Sequence, residues 1–490
     1  MKPNLQTASS REIVPTPRYF DADLVVSRNA TGDIRSRYGD PIWDLSSSSA
    51  DGTTRAVLIF FSIDCSAEHD LALVIREQQK ALMWLYKSRG PLRSLGTLLH
   101  ANHALSILSE KAFERRITLF ALLIDPERMS TEMESLNTTY LSVSKALIES
   151  LWRYGKELGL EVQIPLSKLK GQIASQRRSR SQNKQTPIIP SRVYCSILGR
   201  LISYLDEIER ELPELLDAQR QCVAAYRALK SEGVMRKRVA YRAKMLAPVV
   251  ASMKRLGYDP SCRGALDAFV VSQLALFQAA LMHTIAAFSG MRVGEVSLLP
   301  LFGVEETFQD RGAVHYEIKG YTQKLEHGRK RPTSWITNRE GHRAVLLAQR
   351  IASTNFELLG TPPVEGQEAL LFATPKSAFR KKGSPKILKF QRRLIEMVCP
   401  VVTQVDIDEL NELELSRGWQ HEGIEVGKRW PLTFHQLRRS LSVYAHRSGM
   451  VSLPALKAQL QHITDEMRAY YADGYSRAVK SCLRQGALQS

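Results

Sequence analysis

The chain has 490 residues, 44% of them hydrophobic, and six scattered cysteines with no CxxC pair; the length calls for two or three domains, and the cysteines argue against a disulfide framework or a zinc module. A formal net charge of +18 calls for a polyanionic partner, either nucleic acid or an anionic membrane surface. Residues 1–21 hold no apolar segment and carry Pro3, Pro15 and Pro17, so no signal peptide is read and a cytoplasmic location is expected.

Residues 1–60 hold seven acidic and seven basic residues, with turn signals at Tyr38-Gly39-Asp40-Pro41 and Ser46 to Ser49. Short extended pieces in an N-terminal cap are expected there. From Glu68 onward Leu71, Leu73, Val74, Leu82, Leu85 and Tyr86 recur near the helical period, as do Leu98, Leu99, Leu105, Ile107 and Leu108. With similar stretches at 119–124, 141–151 and 193–212, they predict a helical bundle over residues 61–235. Between Val162 and Leu205 eight basic side chains, Lys168, Lys170, Arg177, Arg178, Arg180, Lys184, Arg192 and Arg200, meet no acidic one. That imbalance suits contact with a DNA backbone, where phosphate neutralisation releases counterions; Ser175 to Thr186 reads as a loop.

A second basic cluster, Arg236, Lys237, Arg238, Arg242 and Lys244, opens the region 236–490. Ala268 to Met291 then runs 24 positions without a charge, long enough to cross a membrane. Ser272, Gln273, Gln278, His283 and Thr284 interrupt it, so the expectation is a buried helix delivering Arg292, with no membrane partner. Val314 to Ile318 and Thr333 to Thr337 read as strands of a hairpin, separated by Gly320 and Glu326-His327-Gly328. Helices are expected at 346–351, 387–398, 434–446 and 453–461, with the acidic Asp406 to Glu414 as an insertion between them. The fold class is therefore mainly α with a small β-sheet.

Two arginine runs are separated by more than a hundred residues: Ser289-Gly290-Met291-Arg292-Val293-Gly294-Glu295 and His435-Gln436-Leu437-Arg438-Arg439. His462 follows, and Tyr471 stands nine residues after it. Breaking a phosphodiester without metal requires neutralisation of two non-bridging oxygens, which the planar, always charged guanidinium fork can do. His435 and Arg438, three apart on a predicted helix, share one face. Glu295 is the natural ion-pair partner of Arg292. A phenol nucleophile has a pKa of about 10, so nearby cations must supply about 4 kcal/mol to ionise it at neutral pH.

Over about residues 240 to 475 these boxes, their order and the His-to-Tyr spacing resemble the tyrosine recombinase, or phage-integrase, family. The resemblance implies a helical core-binding domain, 61–235, followed by an α+β catalytic domain with a C-terminal tail, 236–490. It implies that Arg292 and Arg438 bind the scissile phosphate with His435 and His462, that Glu295 supports them, and that Tyr471 is the nucleophile. Tyr470 is its rival, since one residue turns a helix by about 100° and only one of the pair can face the phosphate; Tyr475 is more distant. A hairpin lysine is the implied general acid, with Lys324 in the best context and Lys319 and Lys330 left open. Arg439, often histidine in the family, and Gln461, often glycine, depart from its commonest pattern.

The implied activity is site-specific cutting and rejoining of double-stranded DNA for a mobile genetic element, through a 3′-phosphotyrosyl link. It needs no ATP, divalent metal or organic cofactor, and it implies a homo-tetramer on DNA. Lys168, Lys170, Arg177, Arg178, Arg180, Lys184, Arg236, Lys237 and Arg238 are the expected backbone contacts. A type IB topoisomerase-like relaxing enzyme and a non-catalytic DNA-binding regulator are the alternatives.

Overall fold

The computed structural model describes residues 19–29, 31–48, 56–62, 69–89, 93–160, 164–180, 186–231, 238–260, 266–310, 312–322, 331–360, 369–372, 387–414 and 417–461. The chain divides into two compact units, one within Met1–Lys184 and the other from Gln185 on.

In the first unit four short strands, β1 (Val25–Arg28), β2 (Ile34–Arg37), β3 (Ile42–Asp44) and β4 (Val57–Ile59), form two antiparallel pairs, with Trp43 opposite Leu58. Six helices follow: α1 (His69–Ser88), α2 (Leu95–Glu114), α3 (Leu119–Ile124), α4 (Pro126–Glu132), α5 (Thr138–Tyr154) and α6 (Leu166–Arg180). Ser94, Thr118 and Asn137 accept N–H groups at the starts of α2, α3 and α5, filling donors that a helix N-terminus leaves unpaired. Tyr38, Trp43 and Phe60 of the strand region share one core with Ile75 and Leu82 of α1, Leu105 of α2 and Leu147 of α5. The described strands thus do not form a core of their own.

The basic stretch departs from expectation, because Ser175 to Arg180 continue α6 instead of forming a loop. Leu169 and Ile173 are buried on one side of that helix. The acid missing from the segment comes from elsewhere: Lys170 Nζ lies 2.8 Å from Glu149 of α5.

The second unit opens with α7 (Ser191–Ser231), α8 (Arg238–Arg255), α9 (Leu266–Ser289) and α10 (Val293–Ser297). A three-stranded antiparallel sheet of β5 (Glu305–Asp310), β6 (Ala313–Thr322) and β7 (Arg331–Thr337) comes next, in the order β5-β6-β7. It is followed by α11 (Arg339–Leu359), α12 (Gln391–Val398), α13 (Gln404–Leu413), α14 (Phe434–Arg447) and α15 (Leu453–Gln459). The uncharged run becomes α9, long and apolar enough to cross a membrane by composition, yet serving here as the core helix. It packs against α7, α11, α12, α14 and β7. Burying each Leu, Ile, Phe or Met of such a helix contributes about 1.5–3 kcal/mol, which the polar interruptions do not offset because Thr284 and Ser289 bond back to Ala280 and Ile285 carbonyls.

Helix α7 lies upstream of residue 236, but its stripe of Ile197, Leu201, Leu205, Ile208, Leu212 and Leu215 belongs to the same core as α9. The division therefore falls about fifty residues before the expected boundary at 235. Gly320 is not a turn residue either. It sits inside β6 opposite Thr333, where a Cβ would come within 2.9 Å of Leu299 Cδ2.

The acidic stretch read as an insertion is α13, and its acids bind the start of this unit. Arg192 reaches Asp406 through Nε at 2.9 Å, and Glu409 accepts both the N–H and the hydroxyl of Ser191. Burial works against the charge on Asp406, but the Arg192 bonds hold its carboxyl below the usual range. Arg192 and Arg200, which bonds the Met397 carbonyl, act inside this unit.

Candidate phosphate-binding site

Helix α9 ends at Ser289, and Gly290 reverses the backbone at φ +70°. Only glycine fits this turn: the left-handed conformation costs other residues about 1–2 kcal/mol, and a Cβ would meet Leu460 Cδ2 at 3.0 Å and Leu441 Cδ2 at 3.2 Å. The turn aims Arg292 back across the start of α10. There Glu295 accepts the Arg292 backbone N–H at 2.8 Å and also pairs with its guanidinium.

The second arginine comes from α14, which Thr433 starts by capping Gln436 N–H. Arg438 is 6% exposed, and its Nη1 donates to the Gly290 carbonyl at 2.6 Å. Its Nη2 donates to the Leu460 carbonyl, and Nη1 lies 3.9 Å from Glu295 Oε2, the oxygen that accepts the Arg292 N–H. One buried carboxylate thus stands between two guanidinium groups that are 146 positions apart in sequence. His435 is exposed on the first turn of α14, on the Arg438 side.

Thr322, at the end of β6, donates its hydroxyl to Glu295 Oε1 at 2.9 Å. Sequence reading missed this residue, although Ile318, Gly320 and Thr322 show the alternation of one inward face and all are buried. Lys319 points to the other face, where it is exposed and pairs with Glu306 at 2.5 Å; the Glu306 bond raises its ammonium pKa.

The last described helix, α15, is tied to the outer edge of the sheet. Gln459 Nε2 donates to the Ser289 and Ile336 carbonyls, each at 2.7 Å, and its Oε1 accepts Ile336 N–H at 3.1 Å. Gln461 donates to the Ser334 carbonyl at 2.8 Å and has φ +55°. This is the left-handed region that favours glycine, the residue the resembled family often has at this position.

The structure therefore brings together Arg292, Glu295 and Arg438, with His435 at their margin. Lys324, Lys330, His462, Tyr470, Tyr471 and Tyr475 lie outside the described residues, as do Lys184, Arg236 and Lys237. Close to Lys324 and His462 in sequence, Thr322 contacts Glu295 and Leu460 contacts Arg438. Among the proposed DNA contacts Lys168 is exposed, Arg177 is partly buried, and Lys170 is paired as above. Arg178 and Arg180 lie on α6 and Arg238 opens α8, with side chains outside the description. Among the described residues no group of three or more His, Cys, Asp or Glu could hold a metal ion.

No protein-family model matches the chain, and no curated protein matches it. Among solved structures it is similar to the integrase of the transposon Tn1549 in complex with transposon right-end DNA, at 14% identity, over 64% of this chain and 98% of that one, with a TM-score of 0.24.

Proposed function

We propose that this chain is a site-specific DNA recombinase of the tyrosine-recombinase type. The observation that carries the reading is the meeting of Arg292 and Arg438 at Glu295. One carboxylate supplies a single negative charge to two guanidinium groups, and a phosphodiester supplies the second. As the phosphorus becomes five-coordinate, charge builds on its non-bridging oxygens, where preorganised arginines act without reorganisation. Glu295 holds their separation, and His435 adds a donor from the exposed turn beside Arg438.

In the proposed step the Tyr471 oxygen attacks phosphorus, forming the phosphotyrosyl bond while the bond to the 5′ oxygen breaks. The phenol proton leaves to a base at the site, and a lysine returns one to the departing oxygen. Lys324, two residues beyond Thr322, is the assigned donor; Lys319 is disfavoured by its opposite face and its Glu306 partner. A 5′-hydroxyl of a second duplex then attacks the link, restoring the phosphodiester and freeing the tyrosine. No metal, ATP or organic cofactor enters this balance. Exchange between two duplexes calls for four protomers on the DNA, in the cytoplasm where that DNA lies.

The test is a nicked suicide duplex. The parent and Tyr470→Phe should form a covalent protein–DNA adduct in EDTA, and Tyr471→Phe should bind the duplex without forming one. An adduct in Tyr471→Phe, or none in the parent, refutes the assignment. On two-site DNA, recombinants separate this reading from relaxation alone.

A further inference from the structure

We infer that Arg439 is a positioning residue for Arg438, acting by strapping residues 186–192 to the back of α14. The inference rests on Arg438 as a phosphate ligand. Arg439 is 7% exposed, although it carries a charge and lies beside the site instead of in it. Its Nη1 donates to the Thr186 carbonyl, and its Nη2 lies 2.9 Å from Glu414 Oε1. The next helical residue continues the hold, since Ser440 Oγ accepts Ile189 N–H at 2.9 Å. One turn further, Tyr444 donates to the Ile189 carbonyl at 2.7 Å and stacks on Tyr194 with ring centres 5.4 Å apart. Glu409 and Asp406 fix Ser191 and Arg192 from α13.

At about 100° per residue, positions 439, 440 and 444 lie roughly 100–240° around the helix from Arg438. The front of α14 is thus held at Gly290, Leu460 and Glu295, and the back by a segment more than 240 positions away in sequence. A side-chain tip stands about 6 Å from its helix axis, so a 10° rotation of α14 moves it by about 1 Å. Misplacement by about 1 Å can cost about a hundredfold in rate. An uncompensated loss of the strap therefore acts on chemistry before it acts on DNA affinity.

The experiment uses the full chain and three variants. Arg439→Met keeps the volume and removes both bonds; Arg439→Lys keeps one charged donor; Glu409→Ala frees Ser191 and removes the 3.3 Å acceptor of the Tyr444 hydroxyl, leaving the Arg439 bonds in place. Duplex affinity, adduct rate at saturating nicked duplex, and amide exchange at Ile189 and Ser191 are measured for each. Arg439→Met should bind duplex within about twofold of the parent, form adduct about 10- to 100-fold more slowly, and exchange faster at Ile189. Arg439→Lys should recover part of the rate, and Glu409→Ala should shift rate and Ser191 exchange in the same direction. If Arg439→Met does not fold, Glu409→Ala and Arg439→Lys decide the matter. Parent-like exchange, or faster exchange with a parent-like adduct rate, overturns the proposal. A parent that forms no adduct defeats the recombinase reading instead, and the strap is then judged on exchange alone, with unchanged Ile189 protection overturning it.

Discussion

Replacing Glu295 by glutamine keeps the shape of the side chain and removes the charge between the two arginines. The carboxylate accepts the Arg292 N–H at 2.8 Å and the Thr322 hydroxyl at 2.9 Å, pairs with the Arg292 guanidinium, and lies 3.9 Å from Arg438 Nη1. At an effective dielectric of about 20, a unit pair near 4 Å is worth about 4 kcal/mol before solvation is counted. Breaking one buried pair costs about 3–5 kcal/mol, because the remaining charge stays buried. Glutamine can still accept the capping N–H, which places the loss near the lower end, at about 3 kcal/mol. Urea unfolding, followed through exchange protection of peptides from α10 and α14, measures it. Saturating duplex should return more stability to the variant than to the parent, since a phosphodiester brings back the missing charge; ligand at about 100 times its Kd returns about 2.7 kcal/mol to any binder. A loss below about 1 kcal/mol, or equal stabilisation of both proteins by duplex, refutes the view that Glu295 balances both guanidinium groups.

Gly290→Ala should lose about 2–4 kcal/mol, combining left-handed backbone strain with overlap against Leu460 and Leu441; a urea midpoint close to the parent's would contradict the turn geometry. Burial of His283 lowers its pKa to about 4, partly opposed by the Ala279 carbonyl bond. The unfolded chain then takes up that proton first, so stability present above about pH 6.5 falls towards pH 4 by up to about 3 kcal/mol. His283→Leu should flatten that part of the pH–stability curve, and an unchanged slope would place the titration elsewhere. Lys324→Ala should slow cleavage about 10²- to 10⁴-fold and recover on a duplex with sulfur at the 5′ bridging position, whereas Arg438→Ala should not. Sulfur rescue of Lys330→Ala but not of Lys324→Ala would move the general acid.

What could be read from sequence follows the range of the interactions. Helix α9 was legible because 24 uncharged positions leave few choices, and Arg292 with Glu295 because a three-residue spacing at a helix start is a local signal. The pairing of Arg438 with Arg292 came only through the family resemblance, and the approach of Arg438 to the same carboxylate was not read from sequence. Strand β5 was missed: Glu305-Glu306-Thr307-Phe308-Gln309-Asp310 has little strand propensity of its own and is held by pairing with β6. The acids of α13 looked like an insertion because their partners, Ser191 and Arg192, lie more than 200 positions away. The boundary at 235 followed the second basic cluster, whereas the apolar stripe of α7 had already committed that helix to the core of the second unit.

The edge of β7 has a consequence for how this protein fails. An unpaired strand edge is a template for another strand, and proteins blunt such edges with charge or cover. On β5 three acids, Glu305, Glu306 and Asp310, oppose self-pairing. On β7 the backbone of Ser334 and Ile336 is instead occupied by the side chains of Gln459 and Gln461. That cover hangs on α15, a helix of seven residues, and short peripheral elements open well before a core does. On warming, α15 should lift first and uncover the strand while the rest of the unit is still folded. Aggregates formed below the main melting transition would then be edge-to-edge assemblies of nearly native molecules, and Gln459→Ala would form them at a lower temperature.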